Sequence, residues 1–150
     1  MITNMYLLQY RYECSVTEKD YFKELTDKGI QPSVQRAMIL EFLWNNRIHP
    51  TAEEIYERLH PEIPTLSRTT VYNTVKLFTE HRMLQPLVIE EKEIRYDIDT
   101  SCHGHFKCES CGKVFDFTAG SEQGEFPELD GFLIREKHLY FKGLCASCRN

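Results

Sequence analysis

At 150 residues, with 41% hydrophobic residues, the chain is long enough for one ordinary domain or two small ones and too apolar to be disordered. Its net charge of −5, with the acid excess mainly in residues 87–150, excludes a uniformly basic nucleic-acid coat but leaves room for a local basic face. The start MITNMYLLQYRYEC has too short an apolar run for a secretory signal, and no stretch approaches the roughly 18 apolar residues of a membrane helix, so a soluble cytoplasmic protein without membrane contact is expected.

Residues 17–29 predict a short helix with Thr17 as N-cap, Asp20 in its first turn and Gly29 beyond its end. A second helix is expected from Ser33 to Asn45, with Val34, Ala37, Ile39, Leu40, Leu43 and Trp44 as a broad apolar face. Pro50 stops any upstream helix, and Thr51 followed by Glu54 has the spacing of a capping box for a third. After the loop HPEIPTL, SRTTVYNTVKLFTEHRML predicts a fourth helix, with Val71, Val75, Leu77 and Phe78 inward and Arg68, Thr69, Tyr72, Asn73 and Lys76 outward. LVI and IRYDI then flank the charged turn EEKE as a hairpin. Helices that end in a polar-faced helix and a hairpin predict a winged helix-turn-helix.

The second half changes character. HFKC, KVFDF, GFLIRE and HLYFKG read as short strands, and TAGSEQGEFPELD as a loop or a single broken helical turn. A half of roughly 60 residues usually needs a metal, a disulfide or a partner subunit. Cys108, Cys111, Cys145 and Cys148 form two C-x-x-C pairs separated by 33 residues, which suits one tetrahedral Zn(II) in a closed, structural site. Gly112 lets the first knuckle turn. The alternatives are incidental reduced thiols or a redox pair, though the latter would need a βαβ setting. Cys14 and Cys102 stay outside the scheme.

A second group, His49, Asp97, His103, His105 and Asp116, has no thiolate. His103 and His105 alternate along a strand and so point the same way, and imidazole with carboxylate suits Fe(II), Mn(II) or Zn(II). Spacing alone leaves two readings open: a shared ion, or a solvent-exposed histidine after a helix with ordinary surface charges.

The patterns HPTAEEIY, SRTTVYNTV, RYDI, HGHFKCESCGKVFDF and GLCASC, in this order from about residue 18 to 148, resemble the ferric uptake regulator family. The resemblance implies an α+β chain: a winged helix-turn-helix DNA-binding domain over 1–98 and a small α/β dimerisation domain over 99–150 with structural zinc. It implies a homodimer that represses from palindromic operators in double-stranded DNA when a regulatory metal is bound. Cys108, Cys111, Cys145 and Cys148 match the family's structural zinc site, and His49, Asp97, His103, His105 and Asp116 match its regulatory site between the domains. Asp97, Asp116 and Asn73 resemble the peroxide-sensing branch. There, Fe(II) reacts with hydrogen peroxide and an imidazole ligand is oxidised; the corresponding residues are His49 and His103. Gly104 and Cys102 stand where iron-sensing members often carry further ligands, and 118–130 is shorter and poorer in helix formers than the family's usual dimer-domain helix.

Ser67 is expected to cap the fourth helix, whose N-terminus attracts phosphates. Arg68, Thr69, Tyr72 and Asn73 are placed for base edges, and Lys76 and Arg82 for the backbone, with Arg36 and the hairpin around Lys92 adding phosphate contacts. Without the family pattern the same face reads as a solvated polar surface. The competing functions are an iron- or zinc-uptake regulator of the same family, a metallohydrolase using the His and Asp cluster, and a zinc-stabilised protein-interaction module.

Overall fold

The computed structural model describes residues 19–90, 93–118, 127–135 and 137–149. Four helices come first, α1 Tyr21–Asp27, α2 Val34–Asn45, α3 Ala52–Leu59 and α4 Arg68–Glu80. Strands β1 Gln85–Glu90 and β2 Glu93–Asp97 follow as an antiparallel pair. They complete a winged helix-turn-helix. A three-stranded sheet in the order β4-β3-β5 is built from β3 Gly104–Cys108, β4 Val114–Phe117 and β5 Tyr140–Gly143, with β3 antiparallel to β4 and parallel to β5. The fold is α+β, as expected.

Each helix starts on a side-chain cap, which satisfies amides that have no partner in the first turn. Asp20 accepts from Lys23 N, Ser33 from Arg36 N and Ser67 from Thr70 N. Thr51 and Glu54 form the reciprocal capping box. Asp20 is thus the cap of α1 rather than a first-turn acid, and the expected cap Thr17 lies outside the described residues. Gly29 follows α1 in the left-handed region, φ 74°, where its lack of a Cβ removes the strain.

The helical core is Leu25, Ile39, Leu40, Leu43, Ile55, Val71, Val75 and Phe78, all fully buried. Two members of the expected α2 face are not in it: Val34 is 62% exposed and Trp44 is exposed, with the Lys19 ammonium 3.0 Å from its ring centroid. At 100° per residue Val34 lies across the cylinder from Ile39, Leu40 and Leu43. Likewise on α4, Thr74 is buried and Leu77 only half-buried, because 74 falls on the stripe through Val71, Val75 and Phe78 and 77 falls at its flank.

The expected strand GFLIRE is not formed over 131–135. Phe132, Leu133 and Ile134 are 68%, 82% and 57% exposed. Their β-propensity reflects a fit to a neighbouring pleated surface, and within one chain none of the described residues supplies a strand for them. A single 3-10 turn, Pro127–Leu129, lies in the stretch read as a loop or broken turn; residues 119–126 of that stretch, and Glu91 and Lys92 of the hairpin turn, lie outside the described residues.

Gly104 pairs with Phe117 across β3 and β4, and the phenyl ring lies over it: a Cβ at 104 would meet ring carbons at 2.3 to 2.8 Å. The ring is itself stacked on Phe141 of β5, centroids 5.0 Å apart, so it cannot swing aside without losing that contact. Gly104→Ala is expected to cost about 1–3 kcal/mol in urea unfolding of the zinc-loaded chain, the usual range for overpacking. Phe117→Leu in the same chain should recover part of the loss.

Candidate metal centres and DNA-facing helix

The parallel pairing of β3 with β5 brings the two C-x-x-C knuckles together. Cys108 ends β3 opposite Gly143, the end of β5, so both turns leave the same end of the sheet. Gly112 N donates to Cys108 O at 3.0 Å and Cys148 N to Cys145 O at 2.9 Å, closing the two turns. Gly112 has φ 71° with open space around it, so the requirement there is the backbone angle, not room.

The four sulfurs lie within 4.8 Å of one another, with Cys111 and Cys145 Sγ 4.0 Å apart. Tetrahedral thiolates at about 2.3 Å from one ion would stand about 3.8 Å apart. Backbone amides of Cys111 and Cys145 pull the buried Cys108 thiol down to about 6, while hydrogen bonding to the Cys145 side chain pushes Cys148 up to about 11. Sulfurs this close cannot all ionise without a cation among them. The donor set fits Zn(II), with no position left open.

The second group also converges. His49 precedes α3, Asp97 ends β2, His103 and His105 flank Gly104, and Asp116 lies on β4 opposite His105. Asp97 Oδ2 is 3.5, 2.9 and 3.1 Å from Nε2 of His49, His103 and His105. Asp116 Oδ1 is 2.8, 3.5 and 3.6 Å from the same three atoms. Ligands on bonds of about 2.1 Å stand about 3.0 Å apart at 90° and about 3.6 Å at 120°, so the spacing fits one ion with five donors.

Hydrogen bonds around the group set its charge. His103 Nδ1 lies 3.0 Å from Ser101 O, so it donates there and leaves the Nε2 lone pair pointing inward. Asp99 N donates to Asp97 Oδ1 at 2.8 Å, leaving Oδ2 for the centre. Burial works against ionisation of Asp97, but the hydrogen bonds with His105 and the Asp99 amide, together with the nearby His49 imidazole, outweigh it and hold the carboxyl far below its ordinary range. Burial likewise opposes a charge on His49, and the carboxylates of Asp97 and Asp116 reverse the balance and raise it.

His49 Nε2 is 2.8 Å from Asp116 Oδ1, yet among the described residues neither of its buried ring nitrogens has a well-directed hydrogen bond. Close approach without hydrogen-bond alignment is what donors aimed at a common point produce. His49, His105 and Asp97 are buried, whereas the Asp116 side chain is 41% exposed and gives the centre its opening to solvent.

Arg95 and Tyr140, which brace this group, escaped sequence reasoning. Arg95 Nη1 donates to His49 O at 3.1 Å and lies 3.4 Å from Glu54 Oε2. Tyr96 N donates to Pro50 O, and Thr51 bridges Arg95, so the segment 49–51 is stitched to β2 two residues before Asp97. That stitching keeps His49 at φ 52°, a left-handed conformation unusual for histidine. Tyr140 of β5 lies tilted against the His105 ring, centroids 5.8 Å apart, and its hydroxyl is 3.2 Å from His138 Nδ1. An arginine and a tyrosine in β-prone runs carry no local signal for such roles.

On α4 the outward stripe is Thr69, Tyr72, Asn73 and Lys76, all exposed, and Arg68 lies at its flank toward α3. Arg36 donates to Gln31 O and is engaged in its own loop, while Arg82 follows the helix at φ 55°. Lys92 lies outside the described residues.

The ferric uptake regulator family model matches residues 27–141. The peroxide operon regulator of Bacillus subtilis is 34% identical over 140 residues, covering 87% of this chain and 92% of that protein. The peroxide-responsive repressor PerR of Staphylococcus saprophyticus is 30% identical over 160 aligned positions, covering all of this chain and 99% of its own. Among solved structures, the Vibrio cholerae ferric uptake regulator superposes with a TM-score of 0.72 at 26% identity, over 84% of this chain and 100% of that one. With this span and these relatives, the chain belongs to the ferric uptake regulator family.

Proposed function

We propose that this chain is a metal-dependent, peroxide-responsive repressor that acts in the cytoplasm as a homodimer on a palindromic operator in double-stranded DNA. The observation that carries the reading is the five-donor group His49, Asp97, His103, His105 and Asp116, whose members come from both the helical half and the strand-rich half. Its working units are a DNA-binding domain over 1–98 and a dimerisation domain over 99–150. Cys108, Cys111, Cys145 and Cys148 hold structural Zn(II), and the five-donor group holds Fe(II) or Mn(II). Iron in such a cage supplies one-electron chemistry toward hydrogen peroxide, which manganese in the same donors does not.

The chain's own residues do the rest. Asp97 and Asp116 would balance the ion's charge, and His103 and His105 present their Nε2 atoms from the sheet. Arg95 fixes the His49 carbonyl, so the imidazole from the α2–α3 connection reaches the same centre. His49 and Asp97 from one unit and His103, His105 and Asp116 from the other would all reach one bound ion at only one angle between the units, so filling the cage would favour that angle. In the Vibrio cholerae relative the DNA-binding domains undergo a structural rearrangement, which supports a mobile joint here. Oxidation of the His49 or His103 ring removes a donor and releases the joint.

Arg68, Thr69, Tyr72, Asn73 and Lys76 read the DNA. Two copies of α4 must then enter successive major grooves, about 34 Å apart. The exposed Phe132, Leu133 and Ile134, with Phe115 and Phe141, offer the apolar face that a second copy would cover. No helix among the described residues is long and apolar enough to cross a membrane.

His49→Ala should reduce binding of an operator duplex in Mn(II) to the level of the metal-free protein while zinc content stays unchanged; loss of zinc in this variant would mean that the two centres are not independent. Arg95→Met should weaken Mn(II) binding by about tenfold or more, the usual effect of removing support behind a ligand, as read by titration calorimetry. Peroxide applied to the Fe(II) form should add one oxygen atom to His49 or His103 by peptide mass analysis and abolish operator binding. An Fe(II) form that keeps both rings intact and stays on DNA would instead mark an iron-uptake regulator.

A further inference from the structure

Helix α4 carries two cations, and each has a carboxylate partner. Arg68 donates Nε to both oxygens of Glu53, at 2.8 and 3.1 Å, and Nη2 to Oε1 at 2.7 Å. Its guanidinium also lies 4.3 Å over the Tyr56 ring of α3. Lys76 Nζ is 3.9 Å from Glu80 Oε1. Glu53 further lines a cleft with Glu93 of β2 and with Tyr72, the exposed aromatic of α4, so acidic groups border the helix on its α3 and wing side.

This is an unusual arrangement for a face that meets phosphates. A free arginine there would attract DNA of any sequence, since phosphate contacts carry no sequence information. A guanidinium has five N–H donors, and the Glu53 pairing occupies two of them. Three remain for a base edge, while the pair as a whole is electrically neutral. The chain's net charge of −5 adds no general attraction elsewhere.

Building on the DNA-reading function proposed above, we infer that Glu53 is a specificity-determining residue: it neutralises and orients Arg68 so that sequence-independent attachment to phosphates is suppressed. Glu80 does the same, more weakly, for Lys76. The role differs from simple structural bracing, because both carboxylates are solvent-accessible and their loss removes charge at the DNA-facing surface rather than core packing.

The test uses the full zinc-containing chain loaded with Mn(II) and two duplexes: one enriched from a random-sequence pool by the unmodified protein, and a shuffled version of it. Glu53→Gln keeps the hydrogen-bond acceptor and deletes the charge. It should bind the shuffled duplex about tenfold tighter and the enriched one no more than about threefold tighter, so discrimination falls. The salt slope on the shuffled duplex should steepen by about one, the value for one freed cation. Glu80→Gln should shift discrimination in the same direction by about twofold, and Arg68→Ala added to Glu53→Gln should restore weak binding to the shuffled duplex. Equal tightening on both duplexes, or no change on either, overturns the role of Glu53. If the unmodified protein enriches no duplex in Mn(II), the DNA-reading function itself fails, which is a separate result.

Discussion

Two carboxylates and three imidazoles with their donor atoms inside 4.8 Å form an assembly that electrostatics tolerates only with positive charge at its centre. Protons can supply some of it: the carboxylates beside His49 raise its affinity for a proton, and Asp97 stays ionised far below the usual carboxylate range. A divalent ion supplies more, and in binding it displaces those protons. Because His49 comes from the helical half while His103, His105 and Asp116 come from the sheet, whatever occupies the centre also determines how the halves meet. The capped helices, the stitched 49–51 segment and the Tyr140 ring against His105 all serve to deliver these five donors.

The thiol centre has a different task. It sits where β3 and β5 end, joining the chain's last turn to the middle of the sheet. A sheet of three short strands buries too little to hold itself, and a closed four-thiolate site adds stability without chemistry of its own. In the proposed function, separation of the two centres lets one remain constant while the other responds. Gly104 lies within the five-donor centre: it separates His103 from His105, and its missing side chain leaves the surface that Phe117 covers.

Much of this was legible in the residues because the signals were local. The two C-x-x-C pairs, the Thr51 and Glu54 capping box and the alternating His103 and His105 each announce themselves within a few positions. His49 and Asp97 could be assigned only through the resemblance to a family, since nothing near either residue says that β2 folds back against the α2–α3 connection. Arg95, Tyr140 and Glu53 were missed for the same reason: their partners lie far away in sequence, and their roles exist only after folding. Val34, Trp44 and Leu77 were misplaced because an apolar side chain says that burial would be favourable, whereas position on the helix decides whether it occurs. The run 131–135 has strand composition without a strand partner in its own chain, so composition named a tendency that pairing alone could fulfil.

The central claim is that one ion, gripped from both halves, sets their relative angle. Small-angle X-ray scattering of the zinc-containing protein, titrated with Mn(II), tests it most directly. The account predicts that the scattering profile changes with Mn(II) occupancy and saturates at one equivalent per chain, and that His49→Ala abolishes the change. Profiles that superpose with and without Mn(II), at full occupancy of the five-donor centre, would contradict it.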